Sequence, residues 1–288
     1  MHFEFMADAP LIAIAFSFVV ALLVGSFLNV VIHRLPLMME REWQAMAAET
    51  GPPGAEPARE AFNLAVPASH CPHCQHRIRW YENMPLISYL VLQGKCSGCA
   101  APISRRYPLV ELLTALLSSY AIWHFGFNAV GLSLVLLGWA LIALTFIDID
   151  HQLLPDRITL PLLWLGLMLN SFELFTSLQS ALWGAVIGYL ALWSIYWIFK
   201  LITGKEGMGY GDFKLLAALG AWCGVELLPL IILLSSVAGI LLAMVLLLLR
   251  RHRMANPLPF GPYLAIAGWV AIIWGRPITE AYLQLFRI

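Results

Sequence analysis

Long apolar runs dominate this chain and leave it few ways to fold. Residues 11–32, 109–125, 129–147, 158–175, 181–201, 227–249 and 258–275 are predominantly apolar, and each is close to the roughly 17–25 residues a helix needs to cross a bilayer. In hydrocarbon the backbone amides of such a segment must be satisfied internally, so these runs predict helices. A shorter run, 213–223, is an eighth candidate. With 60% hydrophobic and 12% charged residues, against about a quarter charged in soluble domains, the chain reads as an all-α polytopic membrane protein. Its formal net charge is zero and its cations form no single stripe, which argues against a nucleic-acid partner.

The distribution of Lys and Arg decides the number and direction of the spans. With eight spans and the N-terminus outside, Arg34, Arg41, Arg59, Arg77, Arg79, Lys95, Arg105, Arg106, Arg157, Lys200, Lys205, Lys214, Arg250, Arg251 and Arg253 all fall inside. Only Arg276 and Arg287 remain outside. Omitting the short run 213–223 would invert the later loops and move Arg250, Arg251 and Arg253 outside. The sequence therefore predicts about eight transmembrane helices, both termini on the outer side. The first run follows the acids Glu4 and Asp8 and carries no small-residue cleavage site, so it reads as a retained anchor.

Three parts follow: residues 1–32 as a first transmembrane helix, 33–107 as an inserted cytoplasmic domain, and 108–288 as a seven-helix membrane body. Within the inserted part, a short helix is expected near residues 40–49. A flexible loop containing Gly-Pro-Pro-Gly at 51–54 follows it.

Cys71-Pro-His-Cys74 and Cys96-Ser-Gly-Cys99 are separated by 21 residues. Two C-x2-C pairs at such a spacing predict a tetrahedral zinc site, and on the reducing cytoplasmic side disulfides are disfavoured. Four thiolates leave no open position for water, so the ion is expected to be structural, supplying folding energy to a domain too small to bury a core. His73 and His76 are read as loop histidines, and Cys223 as a packing residue.

Two acids lie at the ends of apolar runs, 64 residues apart: Asp148 in Phe-Ile-Asp-Ile-Asp-His-Gln, and Asp212 in Gly209-Tyr210-Gly211-Asp212. An ionisable side chain at membrane depth costs about 2.5–3.5 kcal/mol on insertion scales, so it marks a site of chemistry. Two neighbouring carboxyls can share one proton, and the charged member can then activate a water while its partner polarises a carbonyl. The glycines before Asp212 leave room for an extended peptide backbone. No Gly-Lys-Ser/Thr follows them, which argues against a phosphate loop. Asp156 reads as the N-cap of the next helix. Asp150 either hydrogen-bonds the pair or faces water, and His151 reads as a solvated loop residue.

At these residues the chain resembles the bacterial type IV prepilin peptidases, which combine leader-peptidase and N-methyltransferase activities. The resemblance rests on Gly25-Ser-Phe-Leu-Asn-Val-Val-Ile-His-Arg-Leu-Pro36, the four cysteines, Asp148 with Asp-His-Gln-Leu-Leu-Pro-Asp after it, Gly209-Tyr-Gly-Asp-Phe-Lys214, and Pro259-Phe-Gly-Pro262. It implies Asp148 and Asp212 as catalytic residues, prepilins and pseudopilins as substrates, and the bacterial inner membrane as the location. It also implies S-adenosyl-L-methionine as methyl donor, although the sequence contains no Rossmann-type methyltransferase unit. Glu82, between the cysteine pairs, is the candidate for gripping the substrate amine or the cofactor's surroundings. Arg105, Arg106 and Glu111 are weaker candidates.

Overall fold

The computed structural model describes residues 10–49, 62–248 and 258–285. Among these there is no strand, only two isolated β-bridges and nine α-helices. The Gly-Pro-Pro-Gly segment, Arg59, Arg250, Arg251, Arg253 and Arg287 lie outside the described residues. The chain divides into two units, Met1–Ala143 and Leu144–Ile288. Among the described residues, four helical stretches are long and apolar enough to cross a membrane: Pro10–Ala47, Ala129–His151, Leu178–Thr203 and Val225–Val245. The protein is therefore a helical membrane protein.

The first unit contains α1 (Pro10–Glu49), the short α2 (Ile87–Val91) and α3 (Arg106–Phe125). It ends within α4 (Ala129–His151). Helix α1 does not stop at residue 32, nor does a separate helix begin near residue 40; one helix runs through Pro36 to Glu49. After the proline the sequence Leu-Met-Met-Glu-Arg-Glu-Trp-Gln-Ala-Met-Ala-Ala-Glu consists mostly of strong helix formers, which carry the helix onward. Buried Arg34 donates to the carbonyls of Asn63 (2.9 Å) and Pro67 (2.6 Å), holding residues 63–67 back against this extension. Helices α1 and α3 pack closely where a Cβ on Gly25 would lie 2.7 Å from the Cα of Glu111. Asn29 Nδ2 donates to the Tyr107 carbonyl at 3.2 Å and ties the same two helices near the start of α3.

The second unit holds α5 (Asp156–Asn170), α6 (Leu178–Thr203), α7 (Tyr210–Cys223), α8 (Leu228–Leu248) and α9 (Gly261–Leu285). Helix α7 is the centre of this unit. It has 14 residues and is buried from Asp212 to Cys223 apart from Lys214, the character of a core helix more than a lipid-facing one. Gly184 of α6 and Gly220 of α7 face each other so closely that a Cβ on either would strike the other's carbonyl oxygen. Without a hydrophobic force between helices in lipid, this close backbone approach is how van der Waals contact is gained.

Against α5, Trp222 Nε1 donates to the Leu162 carbonyl at 2.8 Å, and Asn170 Nδ2 donates to the Ala221 carbonyl at 2.8 Å. Asn170 Oδ1 in turn accepts from the amides of Phe175 (3.0 Å) and Thr176 (3.2 Å), so one fully buried amide closes both the end of α7 and the turn after α5. These bonds satisfy polar groups that would be costly to leave unpaired in the interior.

Candidate active site and metal centre

Asp148 lies in the last turn of α4 and Asp212 in the first turn of α7, both in the second unit and both buried. The structure brings them close enough for the two carboxyls to interact electrostatically. Asp148 Oδ2 accepts the amide of Gly261 at 2.9 Å. Because Gly261 is the first residue of α9, the carboxylate faces a helix N-terminus, where a negative charge is favoured. A Cβ on Gly261 would lie 2.6 Å from the same oxygen, so only glycine permits this approach. Asp212 Oδ1 is buried and accepts no hydrogen bond among the described residues. One carboxylate is thus fixed by an amide, and the other presents an uncommitted oxygen.

Leu154 holds the arrangement from below. It is buried, and its side chain would meet a Cβ placed on either Gly211 (2.8 Å) or Gly261 (3.1 Å), the glycines that precede Asp212 and face Asp148. The loop before Asp212 is tied to α6 by Lys200, whose Nζ donates to Glu206 at 2.8 Å and to the Tyr196 hydroxyl at 3.2 Å. Tyr196, Tyr210 and Phe213 meet in tilted and edge-on contacts with centroids 5.3–5.7 Å apart and fix the first turn of α7.

Asp156 departs from its expected role. Pro155 is the N-cap and makes no side-chain cap bond, while Asp156 opens the helix and binds Lys214 Nζ through both oxygens at 2.7 Å. The acid still favours the positive end of the helix dipole, but it also joins the starts of α5 and α7. Asp150 and His151 are exposed at the end of α4.

In the first unit the four cysteine sulfurs lie within 4.8 Å of one another. Cys71–Cys99 and Cys74–Cys96 are each 3.9 Å apart, close to the ~3.8 Å edge of a tetrahedron with Zn–S bonds of about 2.3 Å. The two halves repeat one fold. Cys71 N donates to the His76 carbonyl (2.9 Å) and Gln75 N to the Cys71 carbonyl (2.9 Å), while Cys96 N donates to Ala101 (2.8 Å) and Ala100 N to Cys96 (2.9 Å). Amides of Cys74 and His73 aimed at Cys71 bring its thiol down to about 7, toward the thiolate a metal requires.

Glu82 binds the two halves together. Its carboxylate accepts the Arg79 amide (2.8 Å), the Ser97 hydroxyl (2.6 Å) and His76 Nε2 (3.2 Å). The Arg79 amide first, then Ser97 and His76, hold its pKa down at about 2. Both its oxygens are engaged by these groups of the domain. Glu111, buried in α3, accepts the Leu86 amide at 3.0 Å.

Sequence reasoning missed the Gly261 amide, Leu154 and the Asp156–Lys214 pair. The Pro259-Phe-Gly-Pro262 motif was the visible signal for the first.

Residues 19–125 match the Bacterial Peptidase A24 N-terminal domain, and residues 135–244 match the Type IV leader peptidase family. The four cysteines fall in the first match and both aspartates in the second. A Stutzerimonas stutzeri protein named prepilin leader peptidase/N-methyltransferase is 63% identical, covering 99% of each chain. Proteins of the same name from Pseudomonas aeruginosa (59% identical, 98% of this chain and 97% of the relative) and Aeromonas hydrophila (57% identical, 98% of each) are similar over the same extent. The chain belongs to the type IV leader peptidase family. No solved structure matches it.

Proposed function

We propose that this protein is a membrane aspartic endopeptidase and N-methyltransferase that removes the basic leader from prepilins and pseudopilins and then methylates the new N-terminal residue. The observation that carries the peptidase reading is the pair of buried carboxyls, one bound by an amide and one with a free oxygen. Asp148 and Asp212 are the catalytic residues in this reading. The ionised carboxylate takes a proton from a water as that water attacks the scissile carbonyl, and the protonated carboxyl donates a hydrogen bond to the developing oxyanion. The proton then passes to the leaving amine, so the pair returns to its starting state.

Cys71, Cys74, Cys96 and Cys99 would hold a zinc ion in a closed site, supplying folding energy. S-adenosyl-L-methionine supplies the methyl group when bound. Glu82 is the residue that grips the substrate amine or its surroundings in that half of the reaction, held in shape by its bonds within the domain.

The protein belongs, in this reading, to the bacterial inner membrane, with eight crossings, both termini periplasmic, and the metal domain and aspartates cytoplasmic. The segment boundaries at 32/33 and 107/108 separate the first crossing, this domain and the seven-helix body. Eight helices coincide with the eight apolar runs, and the distribution of Lys and Arg supports the direction.

The test is mass spectrometry of a purified prepilin incubated with the full-length protein, with and without S-adenosyl-L-methionine. Cleavage before the apolar helix in both cases, and a gain of one methyl group only with the donor, is the expected result. An uncleaved prepilin, or cleavage that survives Asp148→Ala or Asp212→Ala, ends the proposal.

A further inference from the structure

The segment between the two cysteine pairs carries an apolar helix whose outer face has no partner among the described residues. In α2, Ile87, Leu90 and Val91 are 56%, 74% and 75% exposed, and their i, i+3, i+4 spacing puts them on one face. Tyr89 turns the other way, its hydroxyl lying beneath Gly94.

The depth of this helix is fixed by one bond. Leu86, the residue before α2, donates its amide to Glu111 in α3. Glu111 is five residues beyond Arg106, the start of α3, or about 7.5 Å along that helix at 1.5 Å per residue. A second measure agrees. Glu111 packs against Gly25 of α1, seven residues before the end of the apolar run 11–32, about 10 Å inside it. With the bilayer surface at Arg106 and residue 32, as the proposed topology on which this inference rests has it, helix α2 begins at the level where interfacial amphipathic helices lie, about 5–10 Å into the boundary between headgroups and acyl chains.

The charge around it is one-sided. Between residues 62 and 107 the cations are Arg77, Arg79, Lys95, Arg105 and Arg106, and the only acid is Glu82, which is hydrogen-bonded inside the domain. Such a surface attracts anionic headgroups and repels a basic peptide.

We propose that α2 is a membrane-embedded anchor: Ile87, Leu90 and Val91 lie in the acyl region of the leaflet, while the surrounding Arg and Lys side chains engage anionic headgroups. The cysteine domain is thereby held down on the bilayer at a fixed height, in addition to its tethers through α1 and α3.

The test places the photo-crosslinking residue p-benzoylphenylalanine at Leu90 or Val91, with exposed His73 as the reference. The full-length protein is reconstituted into bilayers of phosphatidylethanolamine and phosphatidylglycerol. Irradiation should give lipid adducts severalfold more at 90 and 91 than at 73, with or without added prepilin. A nitroxide at the same positions should collide with oxygen in preference to a water-soluble nickel chelate. Labelling at 90 and 91 no greater than at 73 overturns the proposal. So does transfer of the cross-link from lipid to prepilin, which would make this face a peptide-binding surface.

Discussion

The amide of Gly261 lies 2.9 Å from Asp148 Oδ2, across 113 residues of sequence. It fixes one carboxylate of the pair at the N-terminus of α9 and leaves no space for a side chain on its donor. In Gly261→Ala the added Cβ would lie 2.6 Å from that oxygen, so Asp148 or the start of α9 must shift. A displacement near 1 Å in a catalytic group costs about 100-fold in rate. Prepilin cleavage should fall by about that factor, while methylation of a synthetic peptide bearing the mature N-terminus stays near the unsubstituted rate. Equal losses of both activities would show that the substitution unfolds the protein.

The two aspartates should fail in the same way. Asp148→Asn and Asp212→Asn should each abolish measurable cleavage, because a shared proton needs two carboxyls. Neither should lower the yield of inserted protein, since asparagine keeps the shape and avoids burying a charge. Cleavage assays on detergent-purified variants, compared with size-exclusion profiles, check both halves. Rapid processing by either variant would remove the pair from the mechanism.

Much of this was legible in the sequence because it depends on local rules. The helices coincide with the apolar runs, and the two C-x2-C pairs converge as metal spacing predicts. What was not legible depends on long-range contact. Nothing near Asp148 in sequence announces that Gly261 donates to it. Asp156 has the composition of a cap, and only the fold shows that Lys214 reaches it. The continuation of α1 past His33 was not legible from hydrophobicity, because a helix can run on after its apolar part ends. Nor does local sequence announce that Glu82 draws Ser97 and His76 from opposite cysteine pairs.

The Asp156–Lys214 pair tests whether that acid is chemical or structural. Both side chains are partly exposed, Lys214 at 30% and Asp156 at 51%, and pairs of this kind contribute about 0–1 kcal/mol. Asp156→Asn and Lys214→Met should each reduce cleavage only severalfold, with the double substitution no worse than either single one, because both remove the same link between α5 and α7. Steady-state rates for the three variants decide it. A loss on Asp156→Asn as complete as that on Asp148→Asn would make Asp156 part of the chemistry.

Zinc affinity as a function of pH separates the cysteines from Glu82. The folded Glu82 carboxyl is depressed to about 2 by the Arg79 amide, Ser97 and His76, against about 4.3 for an unperturbed glutamate. A depressed acid adds stability that is fully present above its unfolded pKa and is lost as pH falls through the folded value. Its contribution is therefore constant from about pH 5 to pH 8, being lost only between about 4.3 and 2. Thiols must lose protons to bind the ion, so affinity should fall with acid over the upper range in the unsubstituted protein. In Glu82→Gln the whole curve should move to weaker binding yet run parallel to the original between about pH 5 and pH 8. Competition with a chromogenic chelator on the full-length protein measures both curves. Curves that already converge as pH falls from about 8 to about 5 would show that Glu82 titrates with the thiols and that its hydrogen bonds do not hold it ionised.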